Sequence, residues 1–227
     1  MLQLVIGNKN YSSWSMRPWV LMRHFGIAIH EIKLRFDFTP GSEFYRELAR
    51  YTPAGRVPVL LIDGFAVWDT LAIVETLADM HPALPLWPRD ALQRARARSL
   101  AAEMHAGFPA LRQHCPMNIE VTLPDVGARV LAAEADLRRE LARVDQMWSD
   151  QLAASGGPFL FGEFSVADAY YAPMAARIRG YALPVSGAAQ GYVERLWVSA
   201  GVSSWVCDAL AERDFLDFEE PYRQCCP

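Results

Sequence analysis

Three short stretches in residues 1–80 bring together hydroxyl, carboxyl and backbone groups that could hold a small charged molecule. The first is Tyr11-Ser12-Ser13-Trp14-Ser15-Met16-Arg17, between a strand-like run and a helix-like run. Ser12 and Ser15 stand three apart at the mouth of that helix. Unpaired N–H groups and the positive end of the macrodipole favour an anion there, a thiolate included. An isolated serine in such a place is more often a plain N-cap. The second stretch is Gly55-Arg56-Val57-Pro58-Val59-Leu60. A proline at the start of a strand donates nothing to the ladder. If the Val57–Pro58 bond is cis, Val57 can offer both of its backbone groups to an extended peptide; an ordinary trans bond is the plainer alternative. The third is Trp68-Asp69-Thr70, just ahead of a helix. The N–H and hydroxyl of Thr70 can hold a carboxylate while Asp69 accepts from an ammonium, although Asp69 alone reads as a cap.

The elements that must position these groups follow from the hydrophobic pattern. Leu2–Ile6 reads as a strand, Arg17–Phe25 as a helix ended by Gly26, and His30–Phe36 as a second strand. Ser42–Arg50 reads as a short helix with Ser42 as N-cap. Val57–Ile62 is a β-branched apolar strand, Asp63-Gly64 a turn, and Phe65–Val67 the returning strand. Asp69 then caps a helix with Leu71, Val74, Leu77 and Ala78 on one face. Residues 1–81 therefore read βαβαββα, and Pro82, Pro85 and Pro88 mark a linker over 82–89. In 90–227 strand signals nearly vanish. Leu100, Met104, Phe108 and Leu111 repeat at helical spacing, as do Val130, Leu137, Leu141, Val144 and Trp148. Pro109 should break the first of these helices. Ser165-Val166-Ala167-Asp168 is a capping box opening a helix that runs to Arg179. Two shorter helices follow within 187–213, and Trp148, Trp197 and Trp205 read as core. The fold class is α/β followed by all-α.

Composition narrows the function. At 52% hydrophobic, the 227-residue chain can bury a substantial core. With 22 Lys+Arg against 26 Asp+Glu the formal charge is −4, and lysine occurs only at Lys9 and Lys33. That balance argues against a nucleic-acid or anionic-membrane partner. No apolar run approaches the ~18 residues of a membrane span, and Met1–Ile6 lacks a signal-peptide pattern. Cys115, Cys207, Cys225 and Cys226 make neither a CxxC pair nor a zinc spacing, which fits a cytoplasmic protein. Cys225-Cys226 reads as a frayed tail, with redox sensitivity as the alternative. Glu103, His105, His114 and Cys115 are metal-capable types, but His105 and His114 would face opposite sides of an ideal helix, so no metal is expected.

In this order, with a proline-rich linker and a helical bundle behind them, the three stretches resemble the cytosolic glutathione transferase family over nearly the whole chain. Ser12-Ser13-Trp14-Ser15-Met16-Arg17 is similar to the serine-type, zeta-like motif of that family. The resemblance implies a thioredoxin-like N-terminal domain and an all-helical glutathione transferase C-terminal bundle. It implies that Ser12 is catalytic, activating the glutathione thiol, with Ser13 and Ser15 as helpers and Tyr11 as a rival donor. By the same likeness Val57 and a cis Pro58 bind the backbone of glutathione's cysteine, Asp69 and Thr70 hold its γ-glutamyl end, and Arg56 faces the glycine carboxylate. Trp14, Met104, His105 and Phe108 would wall the electrophile pocket. The family's Glu-Ser or Asp-Ser is Asp69-Thr70 here. The implied reaction is transfer of glutathione to a small electrophile, by a homodimer, without a metal. Two alternatives stand beside it. One is a maleylacetoacetate-type cis–trans isomerase, in which Trp14 would replace the zeta-class cysteine and Arg17 would be the nearest cation for a carboxylate. The other is a non-catalytic binding or regulatory module.

Serine suffices for thiol activation. A free thiol titrates near ~8.5, so lowering it by two units requires roughly 2.7 kcal/mol. A charge-assisted hydrogen bond gives ~1.5–3 kcal/mol and a helix N-terminus up to ~2 kcal/mol.

Overall fold

A computed structural model describes residues 1–223. Its first half runs β1 (Leu2–Ile6), α1 (Ser13–His24), β2 (His30–Lys33), α2 (Glu43–Leu48), β3 (Val59–Ile62), β4 (Phe65–Val67) and α3 (Thr70–Met80), the expected βαβαββα order. The sheet order is β2-β1-β3-β4, with β1 parallel to β2 and antiparallel to β3. This is a thioredoxin-like domain. Helix α1 begins at Ser13, ahead of the expected Arg17, because the Ser12 side chain caps it by accepting from the Ser15 N–H. The serines therefore form the first turn itself. Strand β2 stops at Lys33; the Phe36 N–H bonds the Asn8 side chain instead of a neighbouring strand. Ser42 precedes α2 without capping it, since its hydroxyl is donated to the Asp37 carbonyl at 2.6 Å.

The second half is helical: α4 (Ala91–Ala106), α5 (Pro109–His114), α6 (Pro124–Ala133), α7 (Ala135–Ser155), α8 (Val166–Gly180), α9 (Gly187–Trp197) and α10 (Ala200–Glu212), followed by a single 3-10 turn at Asp217–Glu219. The break at Pro109 occurs as expected, with Phe108 at φ 62° turning the chain into α5. Val130 and Leu137, expected on one helix, lie on two, because Glu134 is extended. The open end of α6 is satisfied by Arg138, whose guanidinium donates to the carbonyls of Leu131 and Ala132 at 2.6 and 2.8 Å. Trp148 and Trp205 are fully buried; Trp197 is half-buried beneath the Arg179 guanidinium. Cys225 and Cys226 lie outside the described residues. Among the described residues no helix is long and apolar enough to cross a membrane.

Helix α1 ties the halves together. It packs on α3 and also on α8 and α10 of the bundle. Gly201 of α10 lets that crossing close: a Cβ there would stand 2.3 Å from the Val20 carbonyl oxygen. The opposite side of the sheet carries a second core, where Tyr11, Phe36, Phe44 and Leu61 meet Leu216 from the C-terminal segment. Lys9, only 4% exposed, is paired with Glu31 at 2.7 Å and Asp208 at 2.6 Å, its ammonium over the Trp19 ring.

At the head of α8 the capping box forms as expected. The buried Asp168 carboxylate accepts from the Leu160 and Ser165 N–H groups and from the Tyr192 hydroxyl, at 3.1, 2.9 and 2.8 Å. Burial nevertheless pushes its pKa up to about 6. An amide cannot accept all of these bonds, so Asp168→Asn should lower stability by about 2–4 kcal/mol. The check is a lower urea midpoint at unchanged slope.

Candidate active site

The three stretches converge on one cleft of about 870 Å³, where Ser12, Ser13, Val57, Pro58, Asp69 and Thr70 share the first domain's wall. This volume lies within the ~300–1,000 Å³ of small-molecule sites. The Val57–Pro58 peptide is cis, as is Trp68–Asp69. Arg56 is exposed at the cleft's rim.

At the mouth of α1 the hydroxyls are ordered by their partners. Ser12 Oγ donates to Ser15 Oγ at 2.7 Å, and Ser15 Oγ accepts from the Gly7 N–H at 3.2 Å. Ser15 is completely buried and does not line the cleft; Ser12 and Ser13 do. Hydroxyl protons rotate. With Gly7 occupying one lone pair of Ser15, the Ser15 proton can turn onto Ser12 and release the Ser12 proton toward the cleft. Tyr11 lines the cleft as well, but its hydroxyl donates to Glu220 at 2.8 Å while accepting from the Leu216 N–H. Burial, reinforced by Glu220, pushes its pKa up to about 12. The tyrosine proton is thus committed to another carboxylate.

Asp69 caps α3 by accepting from the Leu71 N–H, and its carboxylate lies 3.3 Å from His105 Nε2. The hydroxyl of buried Thr70 is 3.4 Å from His105 Nδ1. His105 therefore sits at the Asp69–Thr70 corner, edge-on to Trp14, and burial lowers its pKa against the opposing pull of Asp69. Of the expected electrophile wall, Trp14 and His105 line the cleft. Met104 and Phe108 are placed otherwise: both are buried in the core, with Met104 on the face of α4 shared with Ala97, Leu100 and Ala101. One step of about 100° around the helix separates that face from His105.

The bundle contributes cations that the sequence reading missed. Arg112 and Arg177 line the cleft. Among the described residues Arg112 donates only to the carbonyls of Gly107 and Met104, and Arg177 only to those of Cys115 and Pro173. Arg17 lies behind Trp14, its guanidinium 4.1 Å from that ring, fully buried and, among the described residues, with no hydrogen-bond partner on any of its three nitrogens. Burial, then repulsion from Arg112 and Arg177, lowers its pKa to about 9. Burial and Arg112 likewise lower Arg177 to about 10. Among the described residues none of the three makes a salt bridge. Unpaired arginines of this kind suit an anion. An arginine inside the otherwise apolar run of α8 was the signal available in the sequence for Arg177. Among the described residues no cluster of three or more His, Cys, Asp or Glu side chains is placed to hold a metal ion.

Two family models match the chain: Glutathione S-transferase, N-terminal domain, over residues 11–80, and Glutathione S-transferase, C-terminal domain, over residues 128–221. The chain is similar to the maleylacetoacetate isomerase of Rattus norvegicus, 27% identical over 77% of this chain and 76% of that protein. It is also similar to a probable maleylacetoacetate isomerase of Caenorhabditis elegans, 37% identical over 99 residues, which is 44% of each chain and so less than half of the relative. Its fold matches the crystal structure of a glutathione transferase homologue from Burkholderia with bound glutathione, at TM-score 0.67 and 24% identity, covering 94% of this chain and 99% of that one.

A buried charge without a partner destabilises the ligand-free protein. Replacing Arg17 by the apolar, similarly long methionine should raise stability by about 1–3 kcal/mol in urea unfolding without ligand; an equal or lower midpoint would show that the Trp14 ring and the Tyr170 ring, 5.1 Å away, fully compensate the charge.

Proposed function

The chain belongs to the glutathione transferase family, and we propose that it binds glutathione in this cleft and activates the thiol for attack on a small electrophile. The observation that carries the reading is the convergence of Ser12, Val57, cis Pro58, Asp69 and Thr70 on one cleft at the N-terminus of α1. In this reading Ser12 donates to the thiolate, Ser15 positions it, and Ser13 adds a second hydroxyl. The Val57 backbone pairs with the cysteine backbone. Asp69 accepts the γ-glutamyl ammonium, Thr70 holds the adjoining carboxylate, and Arg17 lends positive charge from behind Trp14. Arg56 faces the glycine carboxylate. The thiol proton leaves to solvent, sulfur bonds to the electrophilic carbon, and the leaving group departs with its electron pair. Holding both reactants in one cleft removes much of the entropic barrier.

We take 1–81 as the glutathione-binding unit, 82–89 as the link and 90–227 as the unit that completes the electrophile chamber. Phe65, Met80 and Leu92, exposed on β4, α3 and α4, support a homodimer. Cysteine usage supports a cytoplasmic location.

A second reading is cis–trans isomerisation of a maleyl-type diacid with glutathione as cofactor. It is favoured by the names of the curated relatives and by the unpaired Arg112 and Arg177, which could hold carboxylates. Turnover of such a diacid, with no conjugation of model aryl halides, would select it over transfer.

Ser12→Ala should raise the pKa of the bound glutathione thiol by roughly 1–2 units, read from the ultraviolet absorbance of the thiolate during titration. Tyr11→Phe should leave that titration unchanged. The opposite pattern would transfer the donor role to Tyr11.

A further inference from the structure

The segment that follows α10 returns across the first domain as a strap. Asp214 pairs with Arg35 at 2.9 Å and accepts from the Asn8 side chain. Phe218 packs on Phe38, ring centroids 5.1 Å apart. Glu220, buried, accepts from Tyr11, Asn118 and Arg223. Burial works against its charge, but these three donors outweigh it and hold its pKa below the ordinary value. The neighbouring carboxyl has the opposite surroundings. Glu219 is half-buried and lines the cleft, and among the described residues it has neither a hydrogen bond nor an ion pair through its side chain.

The charged and titratable groups that share the cleft with that carboxyl come from every wall. The strap presents Glu220, the loop before α1 presents Tyr11, and the first domain presents Tyr45, Arg56 and Asp69. The bundle presents His105, Arg112 and Arg177. Tyr11 and Glu220 are satisfied by each other, and Asp69 by His105 and the α3 cap. Among the described residues Arg112 and Arg177 remain as cations without an ion pair and Glu219 as an acid without one, in the same cleft.

We propose that Glu219 is a specificity-determining residue of the electrophile chamber. With its carboxyl neutral, the cleft admits an electrophile that carries its own carboxylate, held against Arg112 and Arg177. With it ionised, that electrophile is repelled, while an uncharged one is indifferent to the change. The inference rests on the glutathione transferase reading and deepens it. Burial, then the like charge of Glu220, pushes the Glu219 pKa up to about 7. The carboxyl is therefore neutral below that pH and ionised above it, so discrimination against the anionic ligand grows as pH rises. Arg177, lowered only to about 10, stays charged throughout this range. Two like charges across such a chamber, partly screened, alter affinity by about tenfold.

The test uses two aryl conjugates of glutathione, S-(nitrophenyl)glutathione and its ring-carboxylated analogue, with binding followed by tryptophan fluorescence because Trp14 lines the cleft. The tripeptide charges are common to both ligands and cancel in the ratio of their Kd values. For the wild-type protein the ratio of carboxylated to neutral Kd should rise about tenfold between roughly pH 6 and pH 8. In the nearly isosteric Glu219→Gln it should stay at its low-pH value. A role for Glu219 confined to holding the strap would change both affinities together and leave the ratio unmoved. If the ratio is flat in the wild type, or rises equally in the variant while the neutral conjugate binds, the inference is overturned and the transferase reading stands. If neither conjugate binds the wild type, that reading fails and the inference falls with it.

Discussion

The placement of the α1 N-terminus constrains everything else in the molecule. Ser12, Ser15 and the Gly7 N–H form a closed set of bonds that fixes where the helix begins. The body of the same helix is shared between two cores. It packs on α3 in the first domain and on α8 and α10 in the bundle. Close approach at Gly201 and the Trp19–Trp205 edge contact leave little freedom in that crossing. Lys9 extends the tie, since its ammonium joins Glu31 of β2 to Asp208 of α10. The hydroxyls at the helix mouth and the arginines of the bundle thus face each other across a cleft whose width is set by one helix.

The charges in that cleft are arranged for occupancy. A folded protein ordinarily pairs its buried guanidinium groups, yet among the described residues Arg17 has aromatic faces and no acceptor. Arg112 and Arg177 satisfy part of their donor capacity on helix-end carbonyls and leave their charge uncompensated. Repulsion among the three is a standing destabilisation that an anionic ligand would relieve, a common exchange of stability for function. Glu219 and Glu220 show the same logic in miniature. Adjacent in sequence, they titrate in opposite directions because three donors converge on one and none on the other.

The sequence carried the order of elements well, because strand alternation, the Asp63-Gly64 turn, the Asp69 cap and the Ser165 box are all local signals. It also singled out the stretches that meet at the cleft, since each contains a turn or cap whose geometry is written in neighbouring residues. Misjudged features were those decided by distant contacts. The start of α1 moved because the side chain of Ser12, five residues before Arg17, completed its cap. Val130 and Leu137 keep helical spacing although Glu134 breaks the backbone between them, and the Arg138 bonds that satisfy the α6 end have no signature in periodicity. Met104 and His105 were grouped together as cleft residues, but Met104 falls on the buried face of α4 with Ala97, Leu100 and Ala101 while His105, one step of about 100° on, lines the cleft. Arg112, Arg177 and Glu219 come from α5, α8 and the strap, and only the folded chain makes them neighbours of Ser12.

Within the proposed reaction, the bonds that Tyr11 and Ser12 already make favour serine over tyrosine as the thiol donor. Tyr11 and Ser12 are consecutive and both line the cleft. For Tyr11 to serve sulfur, it must abandon a buried carboxylate that is also tied to Asn118 and Arg223, and a charge-assisted bond of this kind is among the stronger ones available. For Ser12 to serve sulfur, only a rotation of two hydroxyl protons is required, and Ser15 remains satisfied on both sides of that rotation. The strap that occupies Tyr11 also carries Glu219 into the chamber. The segment whose Glu220 engages the Tyr11 proton is therefore the same one that brings an ionisable carboxyl to the cleft.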